Sequence, residues 1–148
     1  KSLWSGIAVY VDHVDGEIHP VTLELIGKAR ELADKVNEEV YCIAMGNNIE
    51  SNVHELLHYG VDKVFLYEDK ELKYFRIEPY TSVIEDFINN LKPAVLLVGA
   101  TTVGRSLAPR VAARFRLYYF RHKGKYRFSS NKASFWWKYY GSNCYSKL

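Results

Sequence analysis

Residues 78–114 read "EPYTSVIEDFINNLKPAVLLVGATTVGRSLAPRVAAR" and decide the fold. Apolar residues within Pro79–Lys92 recur at helical spacing, and Pro93 ends the helix that this spacing predicts. "AVLLVGAT" (Ala94–Thr101) then predicts a buried strand; it is the most apolar strand of the chain, which favours a central position in the sheet. A helix that leads into a buried strand indicates a parallel sheet covered by helices on both faces.

The preceding sequence repeats this order of strand and helix. Three further strands are predicted at "GIAVYVD" (Gly6–Asp12), "EVYCIAMG" (Glu39–Gly46) and "DKVFLYED" (Asp62–Asp69). Between them, "VTLELIGKARELADKV" has the spacing of an amphipathic helix, with one face formed by Val21, Leu25, Ala29, Leu32 and Val36. "SNVHELLHYG" predicts a short helix closed by Gly60. The expected fold class is α/β, with a doubly wound, mainly parallel sheet in three layers. Such a fold is Rossmann-like, of the kind found in adenine nucleotide alpha hydrolases.

Doubly wound sheets bind ligands at the carboxyl ends of their strands. Asp12 and Gly46 end predicted strands, and Asn47 and Asn48 follow directly. The main candidate is "GATTVGRSLAPR", which leads into a helix predicted to begin near Arg105 or Ser106. Backbone N–H groups at such a helix start attract anions. The candidate cofactor-binding residues, as a phosphate or nucleotide turn, are Gly99, Thr101, Thr102, Gly104 and Arg105. A tight strand-to-helix turn with a surface arginine is the alternative, and both interpretations remain open.

The sequence offers little other chemistry. His54 and His58 lie in "HELLH", which has the outline of a zinc-binding motif, but the helix is short and no third ligand is evident. Cys42 and Cys144 provide neither a disulfide framework nor metal-ligand spacing. No serine or cysteine nucleophile stands beside a base in the sequence. We therefore expect no catalytic residues and no metal site.

Three stretches together resemble the N-terminal domain of the electron transfer flavoprotein alpha subunit. They are "DGEIHPVTLELIGKARELADKVNEEVYCIAMG", "YGVDKVFLYEDKEL" and the stretch from 78 to 114 quoted above. The resemblance runs in unbroken order from about Gly6 to Arg114. Its most specific part is "GAT-x-x-GR-x-LAPR-x-AAR".

This resemblance implies an electron carrier subunit rather than an enzyme. It implies a heterodimer with a beta subunit, on which AMP is a candidate ligand, and FAD held mainly by a C-terminal domain of the alpha subunit. We expect that domain to be absent here, so that this chain alone does not retain FAD. The implied role is scaffold and beta-subunit interface in one-electron relay from acyl-CoA dehydrogenase-type donors to the respiratory chain or another acceptor. A non-redox domain that binds adenine nucleotides or phosphate is the alternative function.

Composition and hydropathy limit where the protein can be located and which partners it is expected to have. No apolar run approaches the roughly 18 residues of a membrane span. We expect a cytoplasmic protein, or one of the mitochondrial matrix if a presequence has been removed. Nucleic acid is not an expected partner, because the basic excess lies in residues 115–148, which show no helical or alternating period. Residues 1–114 hold 12 basic and 17 acidic residues.

The sequence departs from the family pattern after Arg114, and residues 115–148 are treated as an atypical basic, aromatic tail. They contain eight Lys and Arg, no Asp or Glu, and 12 of the 22 aromatic residues. Interleaved cations and rings suit single-stranded nucleic acid, and an aromatic arm could instead dock on a partner. The explanation we favour is family sequence translated out of frame after a small deletion near Arg114.

The genetic code supports that hypothesis. With permitted codons, a shift of one nucleotide turns Lys132–Tyr145 into a peptide containing Ala-Phe-Gly-Gly-Asn-Ile-Met, as the resemblance leads us to expect. The same shift at residues 116–118 allows Asp-Cys-Thr, again in the family's manner. A tail of this origin would not complete the sheet. We therefore predict an open sheet edge beside exposed rings, with self-association or poor solubility.

Overall fold

The computed structural model describes residues 4–114 with their side chains and, beyond them, the backbone of the strands between 118 and 144. The elements in chain order are β1 (Ile7–Tyr10), β2 (His13–Val14), β3 (Glu17–Ile18), α1 (Pro20–Val36), β4 (Val40–Gly46), α2 (Glu50–His54), β5 (Lys63–Glu68), α3 (Ile77–Leu91), β6 (Val95–Leu97), α4 (Thr102–Arg114), β7 (Tyr118–His122), β8 (Lys125–Ser129), β9 (Ser134–Tyr140) and β10 (Asn143–Cys144). Short 3-10 turns cover Glu55–Tyr59 and Lys70–Leu72.

The four predicted strands form one parallel set in the order β5-β4-β1-β6. Ile7 of β1 pairs with Val40 on one side and with Val95 on the other, so β1 lies between β4 and β6. Helices flank this sheet: α1 packs on β1 and β4, while α3 packs on β4 and against α4. The expected three-layer, Rossmann-like α/β fold is confirmed.

The core lies between the sheet and its helices. All four residues of β1 are buried, and β4 is buried at every position except Tyr41. Phe87 of α3 is fully buried and meets Phe65 of β5 edge to face, with 5.5 Å between ring centroids. Each large apolar side chain removed from water contributes roughly 1.5–3 kcal/mol, so the near-continuous apolar strands supply most of the stabilisation.

The helix ends follow local signals. Gly60 has φ +88° and closes the 3-10 turn, as predicted. Lys92 is left-handed immediately before Pro93 and ends α3, which begins at Ile77, two residues before the predicted start. The helix α2 ends at His54, and the tighter turn that follows takes the chain to Gly60.

Two local features differ from the predictions. A hairpin, β2–β3, occupies the connection between β1 and α1, where no strand was predicted; Asp15 and Gly16 form its turn with φ 47° and 90°. The start of α4 was predicted near Arg105 or Ser106, and this is wrong, because the helix begins at Thr102. The hydroxyl of Thr101 caps the helix at this earlier start, as described below.

The backbone beyond Arg114 extends the sheet. β9 pairs with β6 in parallel, and β7, β8 and β9 form an antiparallel series, so that β6 is fourth of the seven strands from β5 to β7. The sheet edge that we expected to be open beside β6 is therefore paired. The unpaired N–H and C=O groups of an edge strand are a template for any neighbouring strand, whatever its side chains. The predicted exposure of the tail's rings lies outside the described side chains.

The helices of the described part of the chain are too short or too polar to cross a membrane.

Candidate functional site

Asp12 and Thr101 meet at the carboxyl edge of the sheet. Asp12 follows β1 and Thr101 follows β6, and because these strands are parallel neighbours, their ends lie side by side. The Thr101 hydroxyl donates a hydrogen bond to the Asp12 carboxylate, which is only 5% exposed. The sequence places both residues at this edge; their direct contact is visible only in the structure.

Thr101 also caps the helix α4. Its Oγ1 accepts a hydrogen bond from the backbone N of Gly104 at 3.1 Å, and its carbonyl accepts one from the N of Arg105 at 2.9 Å. A threonine whose side-chain oxygen accepts a hydrogen bond from the backbone N–H three residues later is a favourable N-cap. The cap satisfies the N–H of Gly104, one of the backbone groups that the start of a helix otherwise leaves open to a ligand.

Gly99 and Gly104 are in close contact with each other. A Cβ at Gly104 would lie 1.8 Å from the carbonyl oxygen of Gly99, and one at Gly99 would lie 2.9 Å from Cγ1 of Val21. Both glycines therefore allow helices to pack tightly against the end of β6. This is one of the known uses of glycine where a strand leads into a helix.

The five candidate residues divide into two groups. Gly99 and Gly104 are buried and Thr101 is half-buried, so these three form the contact with Asp12 and the strand end. Thr102 and Arg105, in the first turn of α4, are exposed. The negative charge of a carboxylate is favourable at a helix start, and Asp12 supplies it here from within the chain. The assignment of all five candidate residues to a phosphate or nucleotide turn stays a prediction.

The other candidates at this edge also have structural contacts. Gly46, at the end of β4, faces the side chains of Ile49 and His13: its Cβ would lie 2.7 Å from Cδ1 of the former and 3.1 Å from Cε1 of the latter. Asn47 is half-buried, and Asn48 is exposed in the left-handed region with φ 57°. Asparagine tolerates that conformation better than most residues, which explains its use in this turn.

Sequence reasoning missed the threonine that holds the backbone of Asp12. Thr22 is fully buried; its Oγ1 accepts from the N of Asp12 at 3.0 Å and donates to the carbonyl of Asp12 at 3.3 Å. The backbone N of His19 donates to the same carbonyl at 2.8 Å. The available signal was a threonine on the otherwise apolar inner face of α1.

Two buried tyrosines lie in the electrostatic environment of Asp12. Burial raises the pKa of Tyr10 well above its ordinary value, and the charge of Asp12 and the presence of Tyr80 act in the same direction. The pKa of Tyr80 is raised by burial and by Asp12, and its hydroxyl donates to the carbonyl of Leu72 at 2.7 Å. Both phenols therefore stay protonated at neutral pH and serve the packing of α3 on the sheet.

The described residues present no metal site and no activated nucleophile. His54 ends α2 and His58 lies in the 3-10 turn, so the "HELLH" motif is not on one continuous helix. Residues 4–114 contain no group of three His, Cys, Asp or Glu that could hold a metal. Burial raises the pKa of Cys42 to about 12, which keeps its thiol protonated and inert.

A shallow groove of about 630 Å³ lies between the start of α3 and one face of α4. Its floor is mainly apolar, with Phe75, Ile77 and Pro109 among the lining residues. The two cations at its rim, Arg76 and Arg110, are paired with Glu71 and Glu78. None of the predicted site residues lines this groove.

Comparison with known proteins gives a consistent result. A family model described as electron transfer flavoprotein domain matches residues 7–147. Lactate dehydrogenase (NAD(+),ferredoxin) subunit LctC of Acetobacterium woodii is 66% identical over 116 residues, covering 78% of this chain and 28% of LctC. Electron transfer flavoprotein subunit alpha of Clostridium acetobutylicum is 40% identical over 114 residues, covering 77% and 34%.

A third relative has the name of an electron transfer subunit in a reductase. Acryloyl-CoA reductase electron transfer subunit beta of Anaerotignum propionicum is 38% identical over 114 residues, covering 77% of this chain and 30% of that protein. The chain thus spans about a third of the length of the curated relatives that it matches.

Proposed function

This chain belongs to the electron transfer flavoprotein family, with an alpha-type role, and from that premise we propose that residues 1–114 are the scaffold domain of an alpha-type subunit, which binds a beta-type subunit. The observation on which the proposal rests is the 66% identity with LctC over 116 residues. That length corresponds to the α/β unit described above rather than to an isolated motif.

The contacts at the carboxyl edge support a scaffold role. The polar groups there mostly bond to one another: Thr101 to Asp12 and Gly104, and Thr22 to the backbone of Asp12. A site built for chemistry would hold an acid, a base or a nucleophile with a suitable pKa beside a cleft. These groups instead fix the relative positions of β1, β6, α1 and α4.

We propose that FAD is held largely by parts of such proteins that lie outside residues 1–114. The relatives are about three times as long as the matched segment, which leaves most of each relative available for the flavin. This chain alone is then expected to bind little FAD. The electron donor is proposed to be a dehydrogenase, of the acyl-CoA type or another; LctC is by name a subunit of a lactate dehydrogenase.

A chimera tests the proposal. Residues 1–114 replace the matching segment of an alpha-type relative, and the product is co-expressed with the beta-type subunit of that relative. We expect a complex with FAD bound at the level of the unmodified relative and with electron transfer from its dehydrogenase. A folded chimera that forms no complex would contradict the proposal, and Gly104→Val in the chimera provides a control in which the scaffold itself is disrupted.

A further inference from the structure

Two histidines lie at the two ends of the β2–β3 hairpin, and both accept a hydrogen bond from a backbone N–H. His13 Nδ1 accepts from the N of Gly16 at 3.0 Å, and His19 Nδ1 accepts from the N of Val21 at 3.0 Å. A backbone N–H can only donate. Each Nδ1 must therefore hold a lone pair, so both rings are neutral and have their proton on Nε2.

The ring of His13 joins the hairpin to the sheet. Its Nε2 donates to the carbonyl of Met45 in β4 at 2.6 Å, while Nδ1 holds the hairpin turn at Gly16. The turn has both of its central residues at positive φ, as type I′ hairpins require. The single imidazole thus fixes the turn and ties it to the carboxyl end of the neighbouring strand.

His19 holds the other end of the hairpin. Its ring is the N-cap of α1, and its backbone N donates to the carbonyl of Asp12 at 2.8 Å. The side chain of His19 is exposed, so its Nδ1 is accessible to protons from solvent. Loss of this cap would free the first turn of α1 at the point where the hairpin returns to the helix.

Protonation would break both bonds in the same way. An imidazolium has N–H on both nitrogens, so each Nδ1 would turn a donor toward the backbone donor of Gly16 or Val21. The bond from His13 to Met45 would survive, because it uses Nε2. The hairpin would therefore lose the bond at Gly16 and the side-chain cap at Val21, while the bond from His13 to Met45 and the backbone bond from His19 to Asp12 remain.

The carboxylates around the hairpin do not offset this loss. Charged and titratable groups on the hairpin and on the elements around it include Asp12 after β1, Asp15 and Glu17 in the hairpin, Glu24 in α1, Glu50 and His54 in α2, and Glu68 at the end of β5. The Asp12 carboxylate is bonded to Thr101, and Glu68 accepts from the N of Ile49 at 3.0 Å. Among residues 4–114 neither imidazole forms an ion pair with a carboxylate.

We propose that the β2–β3 hairpin is a pH-sensitive element, closed when His13 and His19 are neutral and loosened when they take up protons. Imidazole is the side chain that most often changes charge near neutral pH, and for that reason the test below compares pH 7.5 with pH 5.5. The element that responds is the connection from β1 to α1 at the carboxyl edge of the sheet. Val14, which is 79% exposed, presents an apolar side chain on it to solvent.

The test uses the full chain labelled with ¹⁵N. Long-range ¹H–¹⁵N spectra at pH 7.5 should show the Nε2–H tautomer at both His13 and His19. Amide exchange, corrected for the intrinsic effect of pH, should show protection at Gly16 and Val21 falling about tenfold between pH 7.5 and pH 5.5, as the loss of one hydrogen bond implies. Core amides of β1 and β4 should keep their protection over the same range.

Variants separate the two histidines. His19→Asn keeps a capping oxygen that does not titrate, so protection at Val21 should no longer depend on pH. His13→Ala should leave Gly16 unprotected at both pH values. His58→Gln, a change at an exposed histidine of the 3-10 turn Glu55–Tyr59, is the matched control and should leave both responses as in the original chain.

Two results would overturn the proposal. One is an Nδ1–H tautomer at either histidine at pH 7.5, which is measured on the unaltered chain and needs no variant to fold. The other is equal protection of Gly16 and Val21 at the two pH values while the histidines are seen to titrate.

Discussion

The hydroxyl of Thr101 donates a hydrogen bond to the carboxylate of Asp12, a residue 89 positions earlier in the chain. The same oxygen accepts a hydrogen bond from the N of Gly104 at 3.1 Å. One side chain therefore joins the end of β1, the loop after β6 and the first turn of α4. This relationship explains why the turn can be built from small residues and still hold one geometry.

Removal of the Thr101 hydroxyl should destabilise the fold. Thr101→Val keeps the shape of the side chain but leaves the buried Asp12 carboxylate and the N–H of Gly104 without this partner. We expect the free energy of unfolding to fall by about 1–3 kcal/mol, measured by denaturant unfolding. Thr102→Val is the matched control, because Thr102 is exposed one position later.

The control should change the stability by less than about 0.5 kcal/mol, as surface substitutions usually do. If Thr101→Val and Thr102→Val lower the free energy of unfolding equally, the hydroxyl of Thr101 contributes nothing to stability beyond the difference in helix propensity between threonine and valine.

A methyl group at Gly104 should be far more damaging than its size suggests. Alanine is normally better than glycine in a helix by about 1 kcal/mol. At Gly104, however, the new Cβ would lie 1.8 Å from the carbonyl oxygen of Gly99, so α4 must move away from the strand. We expect Gly104→Ala to lower the free energy of unfolding by at least about 3 kcal/mol.

Gly27→Ala provides the comparison within a helix. Gly27 lies on the exposed side of α1, and a Cβ there meets nothing within 4 Å. We expect this change to raise the free energy of unfolding by about 0.5–1 kcal/mol. A stabilising effect at both positions would show that α4 is not held tightly against Gly99.

The thiol of Cys42 should be unreactive in the folded protein. Burial raises its pKa to about 12, so almost no thiolate is present at neutral pH. In a Cys144→Ser variant, a disulfide reagent at pH 8 should react only after denaturant is added. Rapid reaction without denaturant would show that the core around β4 opens readily.

The same shift makes stability depend on alkaline pH. The unfolded thiol ionises near pH 8.5, whereas the folded one resists ionisation until about pH 12. Below pH 8.5 the contribution of this group is complete, and it is lost progressively as the pH rises above that value. Cys42→Ala in the same background should reduce the fall in stability between pH 8.5 and pH 10.5.

The predicted phosphate or nucleotide turn is open to a direct binding test. If Gly99, Thr101, Thr102, Gly104 and Arg105 hold a phosphate, calorimetry should detect the binding of AMP, and Arg105→Ala should weaken that binding. Lys92→Ala, at the opposite edge of the sheet, is the control. The absence of heat with AMP, FAD and inorganic phosphate would leave these residues with the structural contacts described above.

The sheet and its helices were predictable because apolar periodicity reports burial directly. Val21, Leu25 and Ala29 were placed on the inner face of α1 by their spacing and are buried in the structure. Val36, placed on the same face, is 48% exposed at the last residue of the helix. Periodicity indicates a face but not how far the underlying layer continues.

The contacts of the candidate site could not be predicted, because they depend on register between distant segments. The pairing of Asp12 with Thr101 follows from the alignment of β1 with β6, which no local pattern specifies. The hairpin was different. Asp15-Gly16 is a strong signal for a type I′ turn, and it was overlooked because the flanking strands have only two residues each.

The origin of residues 115–148 is a separate question. The frame-shift hypothesis stays a prediction, and the paired backbone of β9 does not bear on it, since an edge strand accepts a neighbour through its backbone. The nucleotide sequence from the codon of Val103 past that of Leu148, read in all three frames, decides it.

The most direct test of the central claim is the binding of a beta-type subunit. The tagged chain is co-expressed with a beta-type subunit of the family, and the mass of the purified species is measured under native conditions, with the intact alpha-type relative as a positive control. A scaffold of the alpha type predicts a complex of one chain with one beta-type subunit. A folded chain that remains without this subunit at micromolar concentration, under conditions where the relative binds, would contradict the account.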